Sequence, residues 1–302
     1  MPDAGMPADP PPGLAAGGFQ SKASMTMTEE NPPLRTIASA GVSFSYMAGG
    51  SGVPLVLLHG VGSGARSWRA QLAGLGSAFS VAAWDAPGYG ESTPVEPDQP
   101  TAGDYAARLE LFAGLLGFER FHLVGHSLGA IMAARFACAY PARVLSLTLV
   151  SPSSGHARLA PEERELLRDR RLNDLRDLGP AGMARARGPR LVSEQAPEAV
   201  KAQVIETMAR VRPEGYTKAV RMLSVSDTAG DVARLAAGLP VQFIIGGQDV
   251  VTPPRDTLAV AAQRPDAKVH VLERCGHALY LEEPDRFNGL LADFAAAAEA
   301  AK

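Results

Sequence analysis

Phe121-His122-Leu123-Val124-Gly125-His126-Ser127-Leu128-Gly129 is the stretch from which the fold is read. Residues 121–124 form a short apolar run suited to a buried strand. Residues 128–140 contain no Gly or Pro after Gly129 and carry apolar side chains at helical spacing, Met132 and Phe136 among them. Ser127 is therefore expected at a tight strand-to-helix turn. Gly125 and Gly129 flank it because a Cβ at either place would run into the neighbouring strand or helix. Such a turn lifts a hydroxyl out of a sheet and leaves the N–H of Leu128 aimed at a developing oxyanion.

Working outward, residues 54–58 (Pro-Leu-Val-Leu-Leu) read as a central parallel strand that ends at His59-Gly60-Val61-Gly62-Ser63-Gly64. Glycines there let backbone N–H groups approach a ligand, and the N–H of Val61 is the candidate second oxyanion donor. Residues 35–40 and 42–47 alternate around Gly41 as a hairpin would. Residues 80–84 form another strand, closed by Asp85-Ala86-Pro87-Gly88, where an Asp beside Pro-Gly organises turn backbone. A helix is expected over 101–116 and a strand over 144–150. Strands and helices alternate this far, which argues a parallel, doubly wound sheet.

The pattern then changes. From His156 to Ser226 the chain is helical and rich in charge, cut into short pieces by Pro180, Gly188-Pro189, Pro197 and Pro213. The expected organisation is a flexible tail over 1–33, a core over 34–152 and 227–302, and a helical cap over 153–226. The arginines between Arg158 and Arg190 are interleaved with Glu and Asp, as on a solvated helical face. The sharper alternative is that one of them reaches down to hold a substrate carboxylate. The core resumes with the strand at 241–245 and the loop Gly246-Gly247-Gln248-Asp249. A last strand over 268–272 leads to Cys275-Gly276-His277-Ala278, and a helix over 283–300 closes the chain.

The chain has 302 residues, 46% hydrophobic and 20% charged, with a formal net charge of −3. That balance suits one large domain and gives no reason to expect nucleic acid or an anionic membrane as a partner. Two cysteines, Cys138 and Cys275, make no disulfide framework and point to a reducing compartment. The residues show no metal-ligand spacing and no run long enough to cross a bilayer. The first 33 residues lack a continuous apolar stretch of signal-peptide type, and Met25 or Met27 is a candidate start. Cytoplasmic location is the resulting expectation, with no cofactor and no metal.

Ser127, Asp249 and His277 thus fall, in that order, at the carboxyl ends of expected parallel strands, where open α/β sheets place their sites. The glycine turn, the glycine loop, the strand–Asp loop and the late Gly-His motif together resemble an α/β-hydrolase, over about residues 35–300. The resemblance implies a mostly parallel central sheet flanked by helices, with an inserted helical cap. It implies Ser127 as nucleophile, His277 as base, Asp249 as the group orienting it, and the N–H groups of Val61 and Leu128 as oxyanion hole. His59 and His126 adjoin the glycine motifs and are expected to shape them. His122, His156 and His270 have no motif context and are expected to be structural or exposed, and Cys275 lacks the turn a cysteine nucleophile would need.

Departures from neighbouring groups narrow the expectation. Dehalogenases and epoxide hydrolases of this fold carry Asp where Ser127 stands. Carbon–carbon hydrolases of ring-fission products usually carry Trp after the catalytic His, and Ala278 is there instead. The remaining resemblance is to carboxylesterases and enol-lactonases acting on a small ester, lactone or related acyl substrate through an acyl-enzyme. The alternatives are a carbon–carbon or amide hydrolase, a cofactor-free dioxygenase and a small-molecule receptor on the same scaffold. The sequence leaves the oligomeric state open.

Overall fold

A computed structural model describes residues 32–301. All but the last two residues of the tail expected over 1–33, with both candidate start methionines, lie outside them. Eight strands form one sheet in the order β1-β2-β4-β3-β5-β6-β7-β8. β1 (Leu34–Ser39) and β2 (Val42–Gly49) make the antiparallel hairpin, with Ala40 and Gly41 at positive φ in its turn. β2 is also antiparallel to β4 (Phe79–Trp84). From β4 onward every pairing is parallel, through β3 (Val53–Leu58), β5 (Phe121–His126), β6 (Val144–Val150), β7 (Val241–Gly246) and β8 (Lys268–Leu272).

The continuous apolar runs have a direct cause. β5, β6 and β7 are buried along their whole length because helices cover both faces of the sheet. α3 (Leu128–Ala139) packs on β5 and β6, while α1 (Arg69–Leu75) packs on β4 and α2 (Ala102–Leu115) on α3. Thr101 and Asp104 start α2 with a reciprocal capping box. Each fully buried Leu, Ile or Phe of these strands contributes about 1.5–3 kcal/mol.

Between β6 and β7, the described residues form helices and no strand: α4 (Pro161–Arg187), α5 (Glu198–Ala209), α6 (Pro213–Val225) and α7 (Thr228–Ala233). α4 is broken at Gly179, whose φ of +63° a side chain would disfavour, and Pro180 restarts it. The helices α8 (Pro254–Ala261), α9 (Leu279–Glu282) and α10 (Pro284–Ala300) complete the chain. α6 is tied to the loop after β4. Lys218, 8% exposed, donates to the carbonyls of Val95 and Glu96 at 2.7 and 3.2 Å. Arg212 and Arg221 donate to the carbonyls of Gly90 and Asp98. Those bonds satisfy a buried ammonium that would otherwise be expensive to desolvate.

Candidate active site

The site begins with a strained turn. Ser127 has φ +54° and ψ −112°, a conformation L residues seldom hold unless the surroundings enforce it. Its N–H donates to the Val150 carbonyl at 2.9 Å, and its carbonyl accepts from Ala130 at 3.1 Å and Ser153 at 3.3 Å. A Cβ on Gly125 would strike the Gly129 backbone in the first turn of α3, and one on Gly129 would strike the carbonyls of Leu58 and His59 at the end of β3. Both glycines are therefore required by close backbone approach. The serine hydroxyl makes no hydrogen bond among the described residues. It stands in the wall of a cavity of about 220 Å³ that His277 also lines.

His277 and Asp249 come together from the loops after β8 and β7. His277 Nδ1 lies 2.7 Å from Asp249 Oδ2, and both residues are buried. With Nδ1–H donating to a carboxylate, Nε2 is left as the basic nitrogen. Asp249 is itself held. Its Oδ1 accepts the N–H groups of Val251 and Thr252 at 2.7 and 2.9 Å, and its Oδ2 accepts Thr252 Oγ1 at 2.8 Å. Burial alone would raise the Asp249 pKa, but the His277 charge and the bonds from His277 and Thr252 outweigh it, bringing it to about 2.

The backbone around His277 is fastened on three sides. His126 Nε2 donates to the His277 carbonyl at 2.9 Å, and the two rings lie 4.6 Å apart. Glu282 accepts the N–H of Gly276 at 2.8 Å and that of Ser193 at 3.1 Å. Ala278 N–H donates to the Leu191 carbonyl at 2.7 Å. The His277 loop is thus joined both to the serine turn and to the helical insertion. Trp68 stacks on Tyr280 with ring centroids 4.2 Å apart, packing the segment after the glycine loop against the turn that follows His277.

The glycine loop after β3 forms the facing wall. Ala86 N–H donates to His59 Nε2 at 2.9 Å, so His59 carries its proton on Nδ1 and donates to the Gly60 carbonyl at 2.8 Å. Burial lowers the pKa of this ring and keeps it neutral. Tyr89 Oη donates to the Val61 carbonyl at 2.8 Å. Asp85 accepts from Ala65 N–H and Ser45 Oγ at 2.8 and 2.7 Å, so it ties loop to strand. Val61 and Leu128 both line the cavity. The N–H of Val61 has no acceptor among the described residues, and Leu128, the first residue of α3, has no intrahelical partner for its own.

His156, expected to be structural or exposed, is half-buried and lines the cavity, on the chain leaving β6. Its backbone N–H donates to the Leu223 carbonyl at 3.2 Å, which joins this segment to α6. Burial, with Arg171 second, brings its pKa down to about 4. The signal available was position, since Ser153-Ser154-Gly155-His156 follows the carboxyl end of a parallel strand as Ser127 and Asp249 do. Thr252 and Glu282 carried no comparable signal. His122 bonds Ser146 and Glu299, away from the cavity. Cys275 is buried, and burial followed by Glu283 and Glu282 pushes its thiol up to about 12, which suits no nucleophile.

An open, largely parallel sheet with a strained serine turn and a buried His–Asp pair at the strand ends defines the α/β-hydrolase class. The comparisons agree. The α/β-hydrolase fold family profile matches residues 53–284, and the chain belongs to that family. It is 30% identical over 267 residues to 2-hydroxy-6-oxononadienedioate/2-hydroxy-6-oxononatrienedioate hydrolase of Pseudomonas sp, covering 82% of this chain and 90% of that one. It is 28% identical to a candidate carbamate hydrolase, RutD, of Cronobacter turicensis, covering 78% and 88%. Among solved structures it resembles a thermophilic esterase of Thermogutta terrifontis with malate bound, at TM-score 0.78 and 25% identity, covering 88% and 99%. The enol-lactonase of Burkholderia xenovorans LB400 shares the fold at TM-score 0.77 and 21% identity, covering 86% and 99%. No helix among the described residues is long and apolar enough to cross a membrane.

Proposed function

We propose that this α/β-hydrolase cleaves a small-molecule carboxylic ester or lactone through an acyl-enzyme on Ser127. The observation that carries the reading is the 2.7 Å contact between Asp249 Oδ2 and Nδ1 of His277, which lines the same cavity as Ser127. A neutral hydroxyl is a poor nucleophile near pH 7 and needs a base within reach. His277 Nε2 takes the Ser127 proton as Oγ bonds to the acyl carbon, and Asp249 stabilises the imidazolium. The N–H groups of Val61 and Leu128 receive the oxyanion; one such donor is typically worth about 10²–10³-fold in rate. His277 returns the proton to the departing alkoxide. Water, deprotonated by the same nitrogen, then attacks the acyl carbon and releases the acid and free Ser127. The helices between β6 and β7 act as the cap over this chemistry.

A second reading has its own support. The names of the relatives include a carbon–carbon and a carbamate hydrolase, and the same nucleophile, base and oxyanion groups serve those bonds. Ala278, in the place after the base where carbon–carbon hydrolases usually carry Trp, favours the ester. The deciding experiment compares p-nitrophenol release from short- and medium-chain esters by wild type and Ser127→Ala, beside ring-fission and carbamate substrates. Serine-dependent ester turnover is expected. Efficient turnover of only the ring-fission or carbamate substrates would replace the ester reading with the second.

A further inference from the structure

The cavity wall supplied by the helical insertion is cationic. Arg171, Arg187 and Arg190 line the Ser127 cavity, and the same residues line a second cavity of about 310 Å³ immediately outside it, joined there by Arg170 and Asp174. Any small molecule passing between the two spaces passes these guanidinium groups. Their charges are not equally available. Arg187 is engaged by Asp174, with Nε 2.9 Å from Oδ2. The side chains of Arg171 and Arg190 make no ion pair and no hydrogen bond among the described residues; Arg171 is half-buried on α4 and Arg190 is exposed. Arg168 and Arg176 of the same helix both pair with an adjacent aspartate at the surface.

The rest of that wall is largely apolar. Leu191, Val204, Met208 and Leu223 line it. A half-buried guanidinium without a carboxylate beside such a wall keeps donors that water satisfies only in part, and it meets an anion in a setting where charge–charge attraction is stronger than in bulk water. His156, on the same cavity, is close enough to Arg171 for that charge to help hold its ring neutral, and its Nδ1 is buried without a partner. Neutral imidazole beside guanidinium adds a hydrogen-bonding group without a competing negative charge. The charge of Arg171 is also felt at Tyr89, the residue bonded to the Val61 carbonyl, which puts the cation within electrostatic reach of the glycine loop.

We propose that Arg171 and Arg190 form an anion subsite that receives a carboxylate of the substrate while its acyl carbon lies at Ser127. The substrates are then half-esters or carboxylated lactones of small acids, and Arg171 is the principal specificity residue. This rests on the serine-hydrolase reading above.

The primary test compares two p-nitrophenyl esters of similar length, the glutarate half-ester and the pentanoate, in wild type, Arg171→Gln, Arg171→Lys and Arg190→Gln. The ratio of their kcat/KM values is the readout, which removes any general loss of activity or folding. The expected wild-type ratio is at least about 10 in favour of the half-ester. It should fall about tenfold or more in Arg171→Gln, less in Arg190→Gln, and be partly restored in Arg171→Lys, since a charged hydrogen bond counts for more in a half-buried setting than at the exposed surface. A ratio below 1 in wild type, or one unchanged in Arg171→Gln, overturns the proposal.

A second arm needs no turnover. Glutarate should slow fluorophosphonate labelling of Ser127 in wild type, 1,5-pentanediol should not, and Arg171→Gln should lose the protection. Inorganic phosphate protecting better than glutarate would assign the subsite to phosphate and overturn the carboxylate. If Ser127 does not label at all, the serine-hydrolase reading fails, and glutarate titration followed by calorimetry decides the subsite alone. Binding that Arg171→Gln abolishes keeps it, and absence of binding removes it.

Discussion

The carboxyl edge of the sheet and the helical insertion above it face each other across one cavity, and they are built on opposite principles. The sheet edge is rigid. Ser127, Asp249 and His277 are each at most 7% exposed; Ser127 and Asp249 are placed by strands buried on both faces, and His277 follows the edge strand β8, whose last residue Leu272 is buried. The insertion is charge-rich, its long helix α4 is broken at Gly179, and only Leu175, Met183 and Ala184 of that helix are buried. Chemistry demands geometry held to fractions of an ångström, which a doubly covered sheet provides. Selection among substrates demands a surface that can vary without disturbing that geometry, and a loosely buried helical layer provides it. The fastenings between Ser193, Gly276 and Glu282 join the two without merging them.

The contrast is broken most severely by removing the proposed nucleophile. Ser127→Ala should lower kcat on a p-nitrophenyl ester by about 10⁶-fold, with the thermal midpoint kept or raised because the strained turn remains glycine-flanked. Steady-state kinetics beside a melting curve checks both halves. Asp249→Asn should cost about 10⁴-fold in kcat, since the amide presents the wrong partner to His277 Nδ1–H. A loss below about tenfold would redirect attention to Thr252, which also lies 3.2 Å from that nitrogen.

Packing sharpens the comparison next. Trp68 is fully buried between the glycine loop and Tyr280, so Trp68→Ala should destabilise by about 3–5 kcal/mol, measured by denaturant unfolding. Acid separates the two regions more gently. The Asp249 carboxyl is depressed to about 2 from an ordinary value near 4. The stability it contributes is fully present above pH about 4 and is lost as pH falls through about 2. Asp249→Asn should flatten that part of a stability–pH curve. The smallest effect belongs to the outer face of the insertion: Arg176→Ala, which removes an exposed pair with Asp177, should leave the melting temperature and ester kinetics unchanged.

What could be read from the chain follows the same division. The strand at Phe121–His126, the turn at Ser127 and the end of β7 before Asp249 are legible because a continuous apolar run followed by glycine has few structural meanings. The hairpin around Gly41 and the break at Pro180 are legible for equally local reasons. His156 was legible only through its position after the end of β6; its proximity to Arg171 was not, because that helix is aimed at the cavity by no local pattern. Among thirteen charged residues of α4, periodicity alone does not tell an arginine on the cavity from one in water. The roles of His126 and Glu282 as fasteners of the His277 loop depend on contacts from distant parts of the chain, and sequence spacing is silent about those.

The central claim is that one serine on the rigid edge carries the chemistry. Reaction of the full-length protein with a fluorophosphonate, followed by peptide mass spectrometry, tests it most directly. The account predicts one adduct, on Ser127, formed in wild type, sharply slowed in His277→Ala and absent in Ser127→Ala. An adduct on another residue, or undiminished ester hydrolysis by Ser127→Ala, would contradict it.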